Sequence, residues 1–326
     1  MTDPTNLATQ LLDGGLPRFL YEVNLRPVSG ARFQPTGFPD LGPAVFRDPQ
    51  GGERLLVESA QSMANRLERV CWDEGAGALV APLRGLPYVE VGGDVSTNSM
   101  LEAHRLNSPY VLADDAFLAA FKDQAGLGEG MVDRARFAAA LVRFDPNSVV
   151  HGTFMSLIKP GTARLERMLS SFIEAENVEV VASGGVKVDR NDASGKDAGG
   201  SAEGFGNVPY HRKEYAAGRI FVSFGLDLAG LRGLRLPPEA ARLVVLLSLF
   251  KIRAFLDGSM RLRAGCDFEI DDKDPVAKAR PEGVELPAYA PLAEAVSKAI
   301  AACASQGQFA NPPVTKVTYS KKTKGQ

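Results

Sequence analysis

Apolar and polar side chains alternate in several segments of the chain, and this period of two predicts β-strands. In residues 19–25, Phe19, Tyr21 and Val23 lie on one side of the backbone, whereas Glu22 lies on the other. Such alternation is typical of a strand with one face buried and one face in contact with water. Further strands are predicted over residues 149–158, 178–182, 220–228 and 261–268.

A longer period, in which apolar residues recur every three or four positions, predicts helices. Over residues 57–70 the apolar side chains fall on one helical face. Ser99 and Glu102 match a capping box, which predicts the start of a short helix that carries His104 and Arg105. Further helices are predicted over residues 114–125, 131–143, 163–175, 237–257 and 291–304.

The order of these elements favours an α+β fold. Strands and helices are interleaved, one βαβ-like unit spans residues 149–182, and the alternating strands leave one sheet face polar. A doubly wound sheet would have strands that are apolar on both faces, so a ferredoxin-like arrangement is preferred. Residues 183–207 contain seven glycines and seven charged residues. This composition predicts a mobile excursion or an extended hairpin.

The charge balance speaks against a free-standing nucleic-acid-binding protein. The 326 residues include 37 Lys and Arg against 39 Asp and Glu, which gives a formal net charge of −2. Proteins that bind nucleic acid on their own usually carry an excess of positive charge. Any nucleic-acid site in this chain must therefore come from local clustering of cations, with acidic surface elsewhere.

The cysteines and the N-terminal segment predict a soluble cytoplasmic protein with no membrane contact. Cys71, Cys266 and Cys303 are far apart, which excludes a disulfide scaffold and a paired-cysteine zinc site. The first twenty residues lack a secretory signal pattern, and the longest apolar run, residues 243–250, is too short to span a bilayer.

No segment shows a familiar catalytic signature. The sequence contains no P-loop, no HExxH, no GxSxG and no glycine fingerprint between a strand and a helix. The three histidines are far apart, and no pair of carboxylates has a spacing typical of acid–base catalysis. We therefore expect no enzyme activity, no metal and no cofactor.

Two clusters of polar side chains lie on predicted helices. Gln61, Asn65 and Arg66 place amide and guanidinium donors in one patch, and a solvated helix face is the alternative interpretation. Asparagine is a poor residue for a helix interior, which favours a binding role. His104 and Arg105 close the short predicted helix, where a favourable interaction with the helix dipole is the alternative.

Two further candidates lie on predicted strands. His151 and Thr153 share one strand face, on which a base could stack or a phosphate could bind, although a lone histidine on a sheet is more often structural. Arg263 lies on the same strand face as Arg261, and ion pairs with Asp267 or Glu269 are the alternative for these guanidiniums.

The densest aromatic and basic cluster in the chain follows the glycine-rich excursion. It consists of Tyr210, His211, Arg212 and Lys213. An aromatic ring beside three donors suits base stacking combined with phosphate contact, as single-stranded nucleic acid requires. A loop that re-enters the core on Tyr210 is the alternative interpretation.

Taken in order, these clusters resemble a known protein family. The segments 57–68, 104–105, 150–154, 208–214 and 262–267 are similar to motifs of the type I-U (I-G) CRISPR Cascade backbone subunit, the Csb-one branch of the Cas-seven RAMP proteins. No single motif is specific, but the ordered set extends across most of the chain.

The resemblance implies a single RRM-like (ferredoxin-like) palm over residues 1–326 with inserted lobes. Residues 71–148 would form a helical insertion, residues 183–207 the extended thumb hairpin, and residues 315–326 a basic tail. Such subunits assemble head to tail along a guide RNA (crRNA) and present it for pairing with target DNA in antiviral defence.

The resulting hypothesis is a non-catalytic subunit that binds guide RNA, further copies of itself and other Cascade subunits. Candidate RNA contacts are Gln61, Asn65, Arg66, His104, Arg105, His151, Thr153, Tyr210, His211, Arg212, Lys213 and Arg263. An RNA-processing endoribonuclease of the RAMP superfamily is the alternative, and an unrecognised small-molecule enzyme is a third possibility.

Overall fold

Strands and helices alternate along the chain in a mixed α+β fold whose main sheet is antiparallel. A computed structural model describes residues 2–38, 40–128, 131–158, 163–191, 194 and 206–321. The fold class predicted from the sequence is confirmed at this level, because the central strands pair with antiparallel neighbours rather than through parallel crossovers.

The element bounds are as follows. The helices are α1 (Pro4–Asp13), α2 (Ala60–Arg69), α3 (Asp115–Ala125), α4 (Arg134–Phe144), α5 (Pro146–His151), α6 (Leu228–Gly233), α7 (Pro238–Asp257) and α8 (Tyr289–Ser305), with one-turn 3₁₀ helices at Ala81–Leu83 and Arg105–Asn107. The strands are β1 (Arg18–Pro27), β2 (Arg32–Phe33), β3 (Gly37–Phe38), β4 (Gly42–Arg47), β5 (Glu53–Glu58), β6 (Trp72–Asp73), β7 (Ala78–Leu79), β8 (Tyr88–Gly93), β9 (Thr97–Asn98), β10 (Thr153–Phe154), β11 (Arg164–Leu165), β12 (Leu169–Lys187), β13 (Val208–Asp227), β14 (Met260–Arg263), β15 (Cys266–Ile270), β16 (Val276–Arg280) and β17 (Val314–Tyr319).

The main sheet has the strand order β14-β15-β1-β13-β12-β5-β4-β3, with β16 also pairing with β1 and β2 with β13. The register places apolar residues side by side across its centre. Val222 of β13 lies opposite Val23 of β1 on one side and opposite Ile173 of β12 on the other. All three side chains are buried, so one face of the sheet forms the floor of the core.

Helices α2 and α7 cover that buried face. Helix α2 contacts β12, and α7 contacts β13, α1, α2 and α8. Helix α7 is apolar around most of its circumference and buried along most of its length, because it lies between the sheet and α8. Pro238 in its first turn and Gly258 after its last residue confirm the predicted bounds of this helix.

The opposite face of the sheet is polar, as the alternation predicted. Arg219 of β13 donates to Glu22 on β1 and to Glu176 on β12, at 2.5 and 3.2 Å. Arg54 of β5 donates to Glu174 of β12 at 2.8 Å. These side chains are half-buried, and the three carboxylates balance the charge of the two guanidiniums among them.

Strands β12 and β13 form a hairpin that extends beyond the rest of the sheet. They pair from Leu169 opposite Leu226 to Lys187 opposite Val208, whereas the pairing of β5 with β12 ends at Glu176. The predicted excursion over residues 183–207 therefore begins as the outer end of this hairpin. Its positions 192–193 and 195–205 lie outside the described residues.

Two predictions of secondary structure around residue 150 are wrong. The strand predicted over residues 149–158 is reduced to β10, since residues 146–151 form α5; the Asp145 side chain accepts a hydrogen bond from the backbone N–H of Asn147, and Pro146 occupies the first turn. The predicted helix over residues 163–175 is replaced by β11 and the start of β12. The βαβ-like unit is therefore absent from this part of the chain.

Other helix predictions need smaller corrections. The helix predicted over residues 57–70 begins only at Ala60, because Ser59 caps it and the residues before it belong to β5. Ser99 and Glu102 lie in turns, and His104 precedes a 3₁₀ helix instead of lying in an α-helix. The helices over 114–125, 131–143 and 291–304 are confirmed with shifts of one to three residues at their ends.

The segments predicted to be separate lobes have the following structure. Residues 71–148 contain α3 and α4 together with the short strands β6 to β9. In the predicted basic tail, residues 315–319 belong to β17, which pairs in parallel with β8, and residues 322–326 lie outside the described part. No helix in the described ranges has both the length and the apolar character needed to cross a lipid bilayer.

Candidate nucleic-acid interface

Helix α2 carries the first candidate patch. The Ser59 hydroxyl accepts a hydrogen bond from Ser62 N at 3.3 Å and caps the helix, while Met63 and Leu67 are buried against the core. Gln61 and Asn65 are on the exposed side, as the sequence predicted for a binding face. Their amide groups have no hydrogen-bond partner among the described residues and are free to bind a ligand.

Arg66 and Arg263 meet at one buried carboxylate, Glu58. Glu58 accepts from Arg66 Nε at 2.9 Å and from Arg263 Nη2 at 2.8 Å, and Ser62 donates to it as well. The Glu58 side chain is almost fully buried, whereas both guanidiniums are partly exposed. We call Glu58, Ser62, Arg66 and Arg263 the Glu58 cluster; it joins α2 to β14 although the two arginines are far apart in sequence.

The third patch lies on the hairpin. Tyr210, His211 and Lys213 are exposed on β13, and none of the three has a hydrogen-bond or ion-pair partner among the described residues. Arg212 instead donates to Glu214 at 2.8 Å. Its guanidinium also lies beside Gly265 in the turn between β14 and β15, so this part of the hairpin is close to the strand that carries Arg263.

The remaining candidates line a cleft of about 970 Å³. Three segments form its walls: the turn and 3₁₀ helix over residues 103–109, the end of α5 with β10 and the following turn, and β11 with the start of β12. His104, Arg105, His151 and Thr153 all line it. The fold therefore brings these four residues together, and we call this cavity the His104 cleft.

Within the cleft, Arg105 is held by a buried ion pair. Its Nε and Nη2 donate to the two carboxylate oxygens of Glu68 at 2.5 and 3.0 Å, and its Nη1 donates to the Gly152 carbonyl at 3.2 Å. Arg105 is only 8% exposed. Three of its five N–H donors are used within the protein, which favours a structural role for Arg105; its predicted phosphate contact stays a prediction.

His151 belongs to a second buried network below the cleft. Lys251, fully buried on α7, donates to His151 Nε2 at 2.9 Å and also to the Asn147 side-chain oxygen. Asn147 in turn donates to Glu68 at 2.7 Å. Burial, together with the positive charges of Lys251 and Arg105, holds the pKa of His151 well below its usual range, so the ring is neutral.

The same contacts define the hydrogen-bonding state of the imidazole. An ammonium group can only donate, so His151 accepts at Nε2 and carries its proton on Nδ1. Nδ1 is buried and has no partner among the described residues. Thr153 is also buried, and its hydroxyl donates to the sulfur of Met155. His151 and Thr153 lie on different elements, α5 and β10, so the prediction that they share a strand face is wrong.

The fold thus groups the candidates into two regions instead of one. Gln61, Asn65 and the Glu58 cluster form the first region, which Arg212 approaches through the turn between β14 and β15, and the His104 cleft is the second. Side chains alternate along β13, so His211 and Lys213 lie on the opposite face of the strand from Tyr210 and Arg212. Helix α2 connects them, because Arg66 binds Glu58 on one side and Glu68 binds Arg105 on the other.

Several important residues were not predicted from the sequence. They are Glu58 and Glu68, which bind the candidate arginines, Lys251 below the cleft, and Phe154, Arg164 and Arg167 on its walls. A signal existed for Lys251, since a charged residue that follows eight mostly apolar positions within a helix needs a buried partner. Within the described ranges, no group of three His, Cys, Asp or Glu residues could hold a metal ion.

Comparison with known proteins gives one informative match. Residues 19–180, just under half of the chain, match the model of the family described as CRISPR-associated protein GSU0053. The matched part includes α2 and the His104 cleft, whereas Tyr210 to Lys213 and Arg263 lie outside it. The match supports a CRISPR-associated protein and does not distinguish the type I-U branch. No curated protein matches the chain.

Two solved structures are distantly similar. A chain of a "CRISPR RNA-guided surveillance complex, pre-nicking" has 14% identity and a TM-score of 0.38, with 77% of this chain and 76% of that chain covered. Csc2 of Thermofilum pendens has 10% identity and a TM-score of 0.33, with 89% and 77% covered. These TM-scores are too low to transfer contacts or function to this chain.

Proposed function

We propose that this chain is a non-catalytic subunit of a CRISPR effector complex and that it binds the sugar–phosphate backbone of the guide RNA. The observation that carries the proposal is the match of residues 19–180 to a CRISPR-associated family, because the matched part contains both α2 and the cleft. The type I-U branch, an RRM-like palm formed by the main sheet, and a thumb formed by the hairpin are the finer parts of the proposal.

The charge distribution favours RNA on the side of α2 and the hairpin. On the polar face of the main sheet, Arg54 and Arg219 are paired with Glu22, Glu174 and Glu176 and are not available to phosphate groups. In contrast, Lys213 and His211 are exposed on the hairpin without partners in the described part of the chain. Exposed donors of this kind contact sugar and phosphate without reading the base sequence.

RNA binding is tested by fluorescence anisotropy with two labelled single-stranded RNAs of equal length, one from a CRISPR array and one unrelated. We expect similar affinity for both and a steep dependence on salt. Lys213→Ala should weaken binding to both RNAs equally and flatten the slope of log affinity against log salt by about 0.7, the value for one phosphate contact on a single strand. Asn65→Ala should weaken binding without changing the slope, because an amide carries no charge.

Lys298→Ala is the matched control for Lys213→Ala. Lys298 is exposed on α8 and pairs with Glu294 at 2.6 Å, outside both candidate regions. Its replacement should leave affinity and slope unchanged. Absence of RNA binding by the wild-type chain, or an unchanged slope in Lys213→Ala, would contradict the proposal.

The absence of catalysis is tested in the same samples on a denaturing gel, with and without divalent metal. We expect the RNA to remain intact. Cleavage at a defined position that is lost in His104→Ala would instead establish the endoribonuclease alternative, since His104 is the exposed histidine of the cleft.

Assembly is the last part of the proposal. Head-to-tail copies along one RNA would give complexes whose mass increases in steps of one subunit as the RNA is lengthened. Mass photometry of the chain co-expressed with a CRISPR array measures these steps. A single mass independent of RNA length would refute head-to-tail assembly while leaving RNA binding itself intact.

A further inference from the structure

The walls of the His104 cleft carry more positive charge than the protein neutralises. Arg167 is half-buried, and its only hydrogen bond among the described residues is a weak one from Nε to the His151 carbonyl at 3.4 Å. Glu68, the carboxylate whose charge acts on Arg167, is already paired with Arg105. Burial and the neighbouring Arg105 lower the pKa of Arg167, and the charge of Glu68 opposes them only in part.

The other charged groups on the walls do not change this balance. Arg164 is exposed and has no ion-pair partner in the described part of the chain. Glu166 also lines the cleft and interacts with two guanidiniums, with Arg134 through a 2.5 Å contact and with Arg164 at longer range, so this one carboxylate does not balance both. Lys251 adds a buried positive charge below the floor. An anion bound between Arg164 and Arg167 would therefore gain favourable interactions with both.

An exposed apolar surface lies beside these cations. Phe154 is 54% exposed and Leu157 is 57% exposed, and both line the cleft. A half-exposed aromatic ring next to guanidinium groups is the arrangement on which an unstacked base packs while its phosphate binds the cations. The His151 Nδ1–H adds a neutral donor without a protein partner in the described residues.

We infer that the His104 cleft holds one nucleotide of a bound RNA, with the base against Phe154 and the phosphate between Arg164 and Arg167. The inference rests on the proposed function, since it takes the RNA as given and assigns a site for one of its units. It adds Phe154, Arg164 and Arg167 to the RNA-binding residues. A base held in this cleft would not be available for pairing with a complementary strand.

Photocrosslinking with RNA that contains 4-thiouridine tests the position of the base. Trypsin should release Phe154 within residues 144–164, since Pro160 protects the bond after Lys159. We expect an RNA adduct in this peptide that maps to Phe154 and disappears in Phe154→Ala. Phe46→Ala is the control, because Phe46 is also an exposed ring but lies on β4 and does not line the cleft.

Affinity measurements test the two kinds of contact separately. Phe154→Ala should weaken RNA binding about 5- to 150-fold, the range for loss of one stacked base, and Phe154→Tyr should restore most of it. Arg164→Ala and Arg167→Ala should each flatten the salt slope by about 0.7, and Arg167→Lys should restore the slope. Arg164 is exposed, so its variant remains informative if Arg167→Ala does not fold. Arg84→Ala, an exposed arginine outside the cleft, should leave the slope unchanged.

The failure of this inference differs from the failure of the proposed function. If the wild-type chain binds no RNA, the proposed function is wrong. If it binds RNA, but Phe154→Ala and Arg164→Ala bind equally well and no adduct forms in the 144–164 peptide, only the cleft assignment is wrong. A final experiment tests whether uridine monophosphate binds the RNA-free protein in the cleft. If it binds there and RNA does not compete with it, the site belongs to a free nucleotide and the inference is overturned.

Discussion

The variant Arg105→Ala tests which of two roles Arg105 has. The sequence predicts that Arg105 contacts RNA, whereas its contacts in the structure favour a structural role. In the folded chain Arg105 makes a bidentate pair with Glu68 and a third bond to the Gly152 carbonyl. The side chains of both partners are at most 10% exposed. Replacement by alanine leaves the Glu68 carboxylate buried, with only the Asn147 amide to solvate it.

The expected loss of stability is large. Removal of one partner of a buried ion pair costs about 3–5 kcal/mol, because the remaining charge stays buried without compensation. Glu68→Gln should cost a similar amount, since it leaves the Arg105 guanidinium in the same position. Replacement of both residues by methionine should cost less than either single change, because neither member of this pair is left buried without the other.

Trp72 provides the assay. It is the only tryptophan in the chain and lies shortly after α2, packed edge-on against Tyr88 at 5.7 Å between ring centroids. Urea unfolding followed by its fluorescence gives the free energy of unfolding for the wild type, the two single variants and the double variant. Arg84→Ala is the matched control, since Arg84 is exposed and its side chain has no partner among the described residues.

One result would refute the structural role. If Arg105→Ala unfolds within about 0.5 kcal/mol of the wild type, as most surface substitutions do, the ion pair does not stabilise the fold. If the same variant also flattens the salt dependence of RNA binding by about 0.7, Arg105 contacts a phosphate, as the sequence predicted.

Three further predictions concern stability and reactivity. Burial raises the pKa of Asp145 to about 6, so the protonated carboxyl contributes stability that is present below about pH 4 and is lost as the pH rises through about 6. Urea unfolding between pH 4 and pH 7 should therefore show a free energy of unfolding that falls with pH in the wild type and falls less in Asp145→Asn. Gly152→Ala should destabilise the chain by at least about 1–3 kcal/mol, because φ at this position is +76° and a Cβ would lie 2.8–2.9 Å from the backbone of β11 and of residue 167. Thermal unfolding measures this loss, and an unchanged melting temperature would contradict the prediction. Burial raises the pKa of Cys266 and Cys303 to about 12, and Cys71 is also buried. Ellman's reagent should therefore modify none of the three thiols in the folded chain and all three in urea. A rapid reaction without denaturant would show that at least one thiol is accessible.

Local signals in the sequence predicted some elements well and failed where distant pairing decided the structure. Helix α7 has apolar residues along most of its length, a proline at its start and a glycine after its end, so its bounds follow from local chemistry. Residues 169–175 were predicted to be helical because Ser171 obscures their alternation. In the structure pairing with β13, about fifty residues further along the chain, makes this segment a strand, and Leu169, Ser171 and Ile173 are buried on the face that the helices cover.

In the candidate site, too, local patterns predicted which residues are exposed but not which distant residues they contact. The pattern around residues 57–70 was enough to place Gln61 and Asn65 on the exposed face of α2. It could not show that Arg66 shares Glu58 with Arg263, because those residues are 205 positions apart. The environment of His151 likewise depends on Lys251, which reaches it from a helix 100 positions away. Such contacts are products of the tertiary fold and leave no local pattern.

The length of β12 has a geometric consequence. The strand begins at Leu169, directly beside the wall of the cleft, and reaches Lys187 in the hairpin, with one irregularity at Asn177, where φ is +53° and the pairing with β13 is interrupted. At about 3.3 Å per residue, these eighteen steps span at most about 60 Å. Backbone hydrogen bonds to β13 on both sides of Asn177 hold the strand extended. Side-chain substitutions that keep this pairing will therefore change what the far end touches more than how far from the body of the protein it reaches.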